Sequence, residues 1–94
     1  MEKSLPELTP ERLEEICLLA EEAARNYVLS RFPAKRVENL NVIVETSVEE
    51  QLNITVEVEL TLSPLMREAD AKKVADEAVK HAFAEVEKYL RELK

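Results

Sequence analysis

From Leu40 to Leu62 apolar and polar residues alternate almost without a break. Leu40, Val42, Val44, Val48, Leu52, Ile54, Val56, Val58, Leu60 and Leu62 all fall on even positions. The odd positions carry Asn, Thr, Ser and Glu, with Ile43 the clear exception. A repeat of two marks strands with one buried and one wet face. Two such runs around "EEQ", residues 49–51, read as an antiparallel hairpin. Parity sets the loop. If Val48 faces Leu52, then Val44 faces Val56, Val42 faces Val58, and every even side chain shares a face. A two- or four-residue loop would set odd against even and turn one strand's valines to water, unless a bulge repaired the register. An odd loop is therefore predicted. With no glycine available, Gln51 or Asn53 is expected to take the left-handed conformation.

On either side the period changes to that of a helix. In "LTPERLEEICLLAEEAARNYVLSRF", Thr9 is a candidate N-cap and Pro10 a first helical residue. Glu11, Glu14 and Glu15 sit near the positive end of the dipole, and Arg31 near the negative end. Leu13, Ile16, Cys17, Ala20, Ala24, Tyr27 and Val28 form one stripe, and Pro33 ends the helix at Phe32. The last segment, "SPLMREADAKKVADEAVKHAFAEVEKYLRELK", carries a second stripe: Val74, Ala75, Ala78, Val79, Ala82, Val86, Tyr89, Leu90 and Leu93. Ser63 with Pro64 is the favoured start, with a bent first turn, and Asp70 the later alternative. The order is helix, strand, strand, helix. The chain of 94 residues reads as one α+β domain, with residues 1–8 a loose lead-in.

Dimensions then raise a question of cover. A helix of about 23 residues and a strand of ten are each ~33 Å long. Two helices side by side span ~20 Å, whereas two strands offer about half that. Both helices are expected on one face of the hairpin, and that face is too narrow for them. The hairpin's edges also carry unpaired backbone groups, with no proline or lysine inside either strand to blunt them. The sequence therefore asks for a partner, a second copy or a related subunit, that extends the sheet through its edges. The alternative is a monomer whose helices lean over the hairpin and leave alanines exposed.

Composition narrows the functions. The net charge of −7 disfavours general binding to nucleic acid or an anionic membrane, so neither DNA nor a membrane is expected as a partner. No apolar run approaches the ~18 residues of a membrane span. "MEKSLPELTP" has neither the apolar core of a signal peptide nor the basic character of a transit peptide. One cysteine, Cys17, cannot form an internal disulfide, and a reducing cytoplasm is its simplest home. The chain has no glycine and a single glutamine, beside 13 Lys and Arg and 20 Asp and Glu. High-temperature organisms often encode such chains.

Catalytic signatures are missing. There is no Cys-x-x-Cys, no glycine-rich phosphate loop and no Gly-x-Ser-x-Gly elbow, and no carboxylate pair stands out as acid and base. Cys17 reads as core. His81, with Glu77 and Glu85 four residues to either side, could hold a divalent cation weakly, but reads more simply as part of a solvated face. No enzyme, cofactor or metal is expected. The wet side of the sheet (Asn41, Glu45, Ser47, Thr55, Glu57, Glu59, Thr61) has no aromatics on which bases could stack. Charge placement says more. "RNYVLSRFPAKR", residues 25–36, carries Arg25, Arg31, Lys35 and Arg36 and no acid; residues 37–63 carry six glutamates and no base. The first cluster serves dipole complementation and loop solubility, or else forms a compact basic site for an acidic partner or phosphates. Tyr27 and Phe32, inside it, read as core.

The run "VEVELTLSPL" leading into "ADEAVKHAF", within a span from "ELTPERLEE" to "YLREL", resembles a small archaeal family of uncharacterised proteins with a helix–hairpin–helix layout. That resemblance implies no catalytic signature. It adds a genomic association with translation and the chaperone prefoldin. "LNITVEVELTLSPLMREAD" is also similar to the last strand and helix of the small dimer-forming subunits of the KEOPS complex, which modifies transfer RNA with a threonylcarbamoyl group. That similarity would place Arg67 near a basic residue common at the helix start, and would imply sheets joined across a dimer. Those subunits open with an extra strand, for which residues 1–8, with Pro6, leave no room. Together these readings point to a non-catalytic association module, an accessory subunit of an archaeal RNA-modification or translation-linked complex. A small RNA or phosphate binder acting through Arg25, Arg31, Lys35 and Arg36 is the alternative.

Overall fold

The computed structural model describes residues 8–66 and 70–92. Helix α1 spans Pro10–Arg31, strand β1 Val37–Val48, strand β2 Leu52–Leu62 and helix α2 Ala71–Glu92. Short 3-10 turns lie at Ala34–Arg36 and Pro64–Met66. The fold is the expected α+β arrangement in α-β-β-α order, with the strands forming one antiparallel sheet.

Helix α1 begins where its cap chemistry places it. Thr9 is extended, and its hydroxyl accepts from the Arg12 N–H at 3.2 Å. It ends where Pro33 forces Phe32 out of helical geometry, at φ −133° and ψ 140°. Leu8, expected in the loose lead-in, instead packs against the core; residues 1–7 lie outside the described residues.

The hairpin register follows parity. Val48 faces Leu52, Val44 faces Val56 and Val42 faces Val58, across a three-residue loop. The left-handed residue expected at Gln51 or Asn53 does not occur, since no described residue has a positive φ. The Gln51 carbonyl instead accepts the Glu49 N–H at 3.1 Å and the Asn53 side-chain amide at 3.5 Å, and these bonds brace the reversal. One irregularity falls between Val37 and Asn39, where Glu38 has no partner. That bulge shifts the register by one, which is why Val37, an odd residue, still packs against the core.

The start of α2 corrects the sequence reading. Ser63 caps only the short turn, accepting from the Leu65 N–H at 3.2 Å. Asp70 caps the helix, its carboxylate accepting from the Lys73 N–H at 3.0 Å. Leu93 and Arg67 lie outside the described residues.

The core sits between the helices and above the sheet. Helix α1 packs on β1, α2 packs on β2, and the helices pack on each other. Ile16 and Val28 are fully buried, each contributing about 1.5–3 kcal/mol. Among the described residues no polar or charged side chain is buried. The shortage of cover is met in a way the sequence reading did not foresee. Ala20, Ala24, Ala78 and Ala82 are each 0% exposed, so the alanines of both stripes are covered within one chain. Small side chains let two helices approach at the short end of the usual 8–10 Å. No second polypeptide is needed to hide them. The remaining shortfall appears in the sheet: Val56 alone among the strand residues is buried, and the other helix-facing aliphatics are half-buried, or exposed in the case of Val48.

Candidate functional site

Helical spacing puts Tyr27 and Arg31 one turn apart on α1, and Glu77 and His81 one turn apart on α2. The packed helices bring all four together. The Tyr27 hydroxyl donates to Glu77 Oε1 at 2.9 Å, and Arg31 Nη1 donates to that hydroxyl at 3.4 Å. The Arg31 guanidinium stands 5.6 Å from the Tyr27 ring centre, with Nη2 4.0 Å from Glu77 Oε1. The His81 ring lies 5.4 Å from the Tyr27 ring at 35°. His81 is therefore half-buried against α1 rather than on a solvated face, because Tyr27 reaches across the seam. Tyr27 itself, expected in the core, is half-buried at the rim, while Phe32 is buried.

A second pair mirrors the first. The Tyr89 hydroxyl of α2 donates to Glu15 Oε1 of α1. In both pairs a tyrosine O–H meets a carboxylate, which favours the protonated phenol. The Glu77 bond raises the Tyr27 pKa above its ordinary 10.0, helped by desolvation, and the Glu15 bond does the same for Tyr89. Sequence reasoning missed both bonds. One faint signal was present, since tyrosine and glutamate are twelve residues apart on each helix, as antiparallel pairing requires.

The basic cluster does not form one patch. Arg25 and Arg31 are six residues apart, about 240° round α1. Arg31 faces α2, whereas Arg25 pairs with Glu21 at 2.8 Å on another side. Lys35 and Arg36 occupy the turn after α1, Lys35 exposed and Arg36 half-buried, with no carboxylate in ion-pair reach among the described residues. The Arg36 carbonyl accepts the Ser63 N–H at 2.8 Å and ties the turn to the end of β2. Arg67 lies outside the described residues.

Cys17 is half-buried, its Sγ 3.8 Å from Thr46 Oγ1. Among the described residues no three His, Cys, Asp or Glu side chains converge as a metal site. A shallow depression of about 410 Å³ runs along the start of α2 between Asp70, Lys73, Asp76, Glu77 and Lys80, and is open to solvent. No helix among the described residues is long and apolar enough to cross a membrane.

The sheet offers the larger unfilled surface. The described residues form two strands, and each has one edge without a neighbour among those residues. Asn41, Glu45, Ser47, Thr55, Glu57, Glu59 and Thr61 are exposed on the face away from the helices.

Comparison with known proteins places this architecture. The sequence pattern of a family described as protein of unknown function, DUF3194, matches residues 5–89. The chain belongs to that family. An uncharacterised protein from Thermococcus kodakarensis is 35% identical over 89 residues, 95% of this chain and 82% of the relative. An uncharacterised protein of Pyrococcus horikoshii is 29% identical over 95% of this chain and 76% of its own length. A crystal structure from Thermococcus onnurineus is 37% identical, with a TM-score of 0.78, covering 97% of this chain and 87% of that one. The solution structure of a hypothetical protein from Methanothermobacter thermautotrophicus is 29% identical, also at 0.78, covering 95% and 96%. The two solved structures share the fold. They do not extend the likeness to the small KEOPS subunits, and among the described residues no strand precedes α1.

Proposed function

We propose that this chain is a non-catalytic association module that joins another polypeptide through the open edges of its hairpin. One observation carries the reading: among the described residues, two strands of 12 and 11 residues each keep an unpaired edge, beside a helix-facing surface that stays half-buried. Such edges either recruit a strand or must be guarded, and neither strand interior holds a proline or lysine. A second copy and a related subunit are the partners first to be tested, in a reducing cytoplasm suited to the free Cys17. A place in an archaeal transfer-RNA-modifying assembly of the KEOPS kind, or in a translation-linked one, is the finest form of this reading. It rests on the resemblance of residues 52–70 alone.

Light scattering from micromolar to millimolar protein, with amide exchange followed along both strands, tests association. Self-pairing should give twice the 10.8 kDa chain mass. A related subunit as partner requires a monomer whose edge amides exchange freely. A monomer whose edge amides are as protected as those of the ladder would end the proposal.

A second reading is favoured by Lys35 and Arg36, which have no ion-pair partner among the described residues and lie near Arg31 in sequence. In it the turn after α1 binds RNA or phosphate. Reversing the charges of Arg31, Lys35 and Arg36 should then leave folding intact and abolish a salt-sensitive affinity for RNA. Undiminished RNA binding by that variant would eliminate the basic turn as the contact.

A further inference from the structure

We propose that the open edge of β2, roofed by the outer flank of α2, is a docking groove for one extended segment of a partner protein, in which aliphatic residues alternate with Lys or Arg. This rests on the sheet-extension reading and names its edge and its partner's chemistry.

The groove follows from the mismatch of widths. Each helix is ~10–12 Å across with its side chains, while strands repeat every ~4.8 Å. Even with an alanine seam, two helices over two strands must overhang the sheet on both sides. Helix α2 lies over β2, so its overhang shelters the β2 edge. The residues on that flank can be read from the ones that touch α1. Glu77 and His81 meet Tyr27. Val79 and Phe83 each come two residues later, about 200° round the helix, on the flank turned away from α1. Leu90 falls on the same line. Val79 and Leu90 are half-buried at the rim of the core, and Phe83 is 40% exposed. The middle of the roof thus carries three apolar side chains, with Phe83 partly uncovered.

The floor supplies the charge. On the wet face of β2, Glu57 and Glu59 are exposed, and their partners on β1 are Ile43 and Asn41. Neither carboxylate has an ion-pair partner among the described residues. A strand added beside β2 would set its own wet-face residues next to them, and Lys or Arg there makes favourable cross-strand pairs. Its alternate residues would point up beneath Val79, Phe83 and Leu90 and would have to be aliphatic. The net charge of −7 draws a basic segment toward the edge.

A second copy fits this edge poorly. Antiparallel β2–β2 pairing that keeps even residues on the helix face brings the second α2 onto the same face, into space the first already fills. Registers centred on Glu57 or Val58 also set carboxylate against carboxylate. The β1 edge is less suited than β2. Arg25, two residues before Tyr27, pairs with Glu21 on the matching flank of α1, and the bulge at Glu38 interrupts the ladder.

The test is a blocked synthetic peptide of alternating valine and lysine, roughly nine residues long, about the span of one strand. Its control replaces every lysine with glutamate. Binding is read by amide exchange, residue by residue. The basic peptide should slow exchange at alternate β2 amides by about tenfold or more, and leave β1 unchanged. Glu57→Lys with Glu59→Lys should weaken it by roughly tenfold, whereas Glu14→Lys with Glu22→Lys, the same charge change on α1, should not. Phe83→Ser, at a site 40% exposed, should weaken it similarly while leaving the helix dichroism unchanged. Slowing at β1, equal binding of the acidic peptide, or a free protein already dimeric through β2 would each overturn the groove while leaving sheet extension standing. No slowing at either edge would overturn both.

Discussion

The hydroxyl of Tyr27 on α1 donates to the carboxylate of Glu77 on α2 at 2.9 Å, across a seam whose interior is alanine. With its mirror pair, Tyr89 and Glu15, it pins the helices together at two points twelve residues apart. A seam of small side chains has close backbone contact but little to fix the sliding of one helix along the other. The two tyrosines supply that registry.

This pinning predicts a loss of stability in alkali. Both phenols titrate above their ordinary 10.0 because the hydrogen-bonded carboxylates favour the protonated form. Their contribution is therefore complete below the unfolded value of about 10 and disappears as pH rises through the higher folded values. Tyr27→Phe with Tyr89→Phe should leave a smaller difference between denaturant midpoints at neutral pH and above pH 10. An alkaline limb as steep as that of the parent protein would show that the bonds add nothing to stability.

The alanine seam predicts intolerance of bulk. Ala24→Leu or Ala78→Leu should destabilise the fold by about 1–3 kcal/mol, since a larger side chain must push the helices apart. Ala84→Leu, at an exposed position of α2, should change stability by less than about 0.5 kcal/mol. Urea denaturation measures both, and equal effects at Ala78 and Ala84 would contradict a close seam.

The caps divide the turn from the helix. Removing the carboxylate with Asp70→Ala should cost about 1 kcal/mol, because it strands the Lys73 N–H. Ser63→Ala should cost less, as it loosens only the short turn. Helix content by circular dichroism should fall with the first change alone; the reverse order would return the helix start to Ser63.

Strand facing is tested by neighbours. Val56, the buried strand residue, cannot accept an unpaired charge, so Val56→Lys should unfold the domain. Thr55→Lys, on the opposite face, should fold normally. A stable, soluble Val56→Lys protein would mean that the even face is not the covered one.

The hairpin was legible because its period of two is unforgiving. A slip of one residue would expose every valine of a strand, so Val44 and Val56 could be paired on parity alone. Thr9 and Pro33 likewise mark the ends of α1 through local backbone chemistry. Ser63 misled because it sits before a proline as a helix cap should, yet the chain spends that signal on a single turn. His81 was misplaced for another reason. The residues one turn away on either side, Glu77 and Glu85, are charged, and the Tyr27 ring that approaches its side comes from a distant helix. A lone chain was expected to leave its alanines exposed, because widths were reckoned from average side chains. Ala20, Ala24, Ala78 and Ala82 are instead fully covered within the helix seam.

The hairpin reverses direction with every backbone torsion on the ordinary side of φ, in a chain that has no glycine. Glycine gives a denatured polypeptide its widest choice of shapes, so a chain without it has less disorder to surrender when it folds. Part of this protein's folding free energy is thus set before any native contact forms, in the narrowness of its unfolded ensemble.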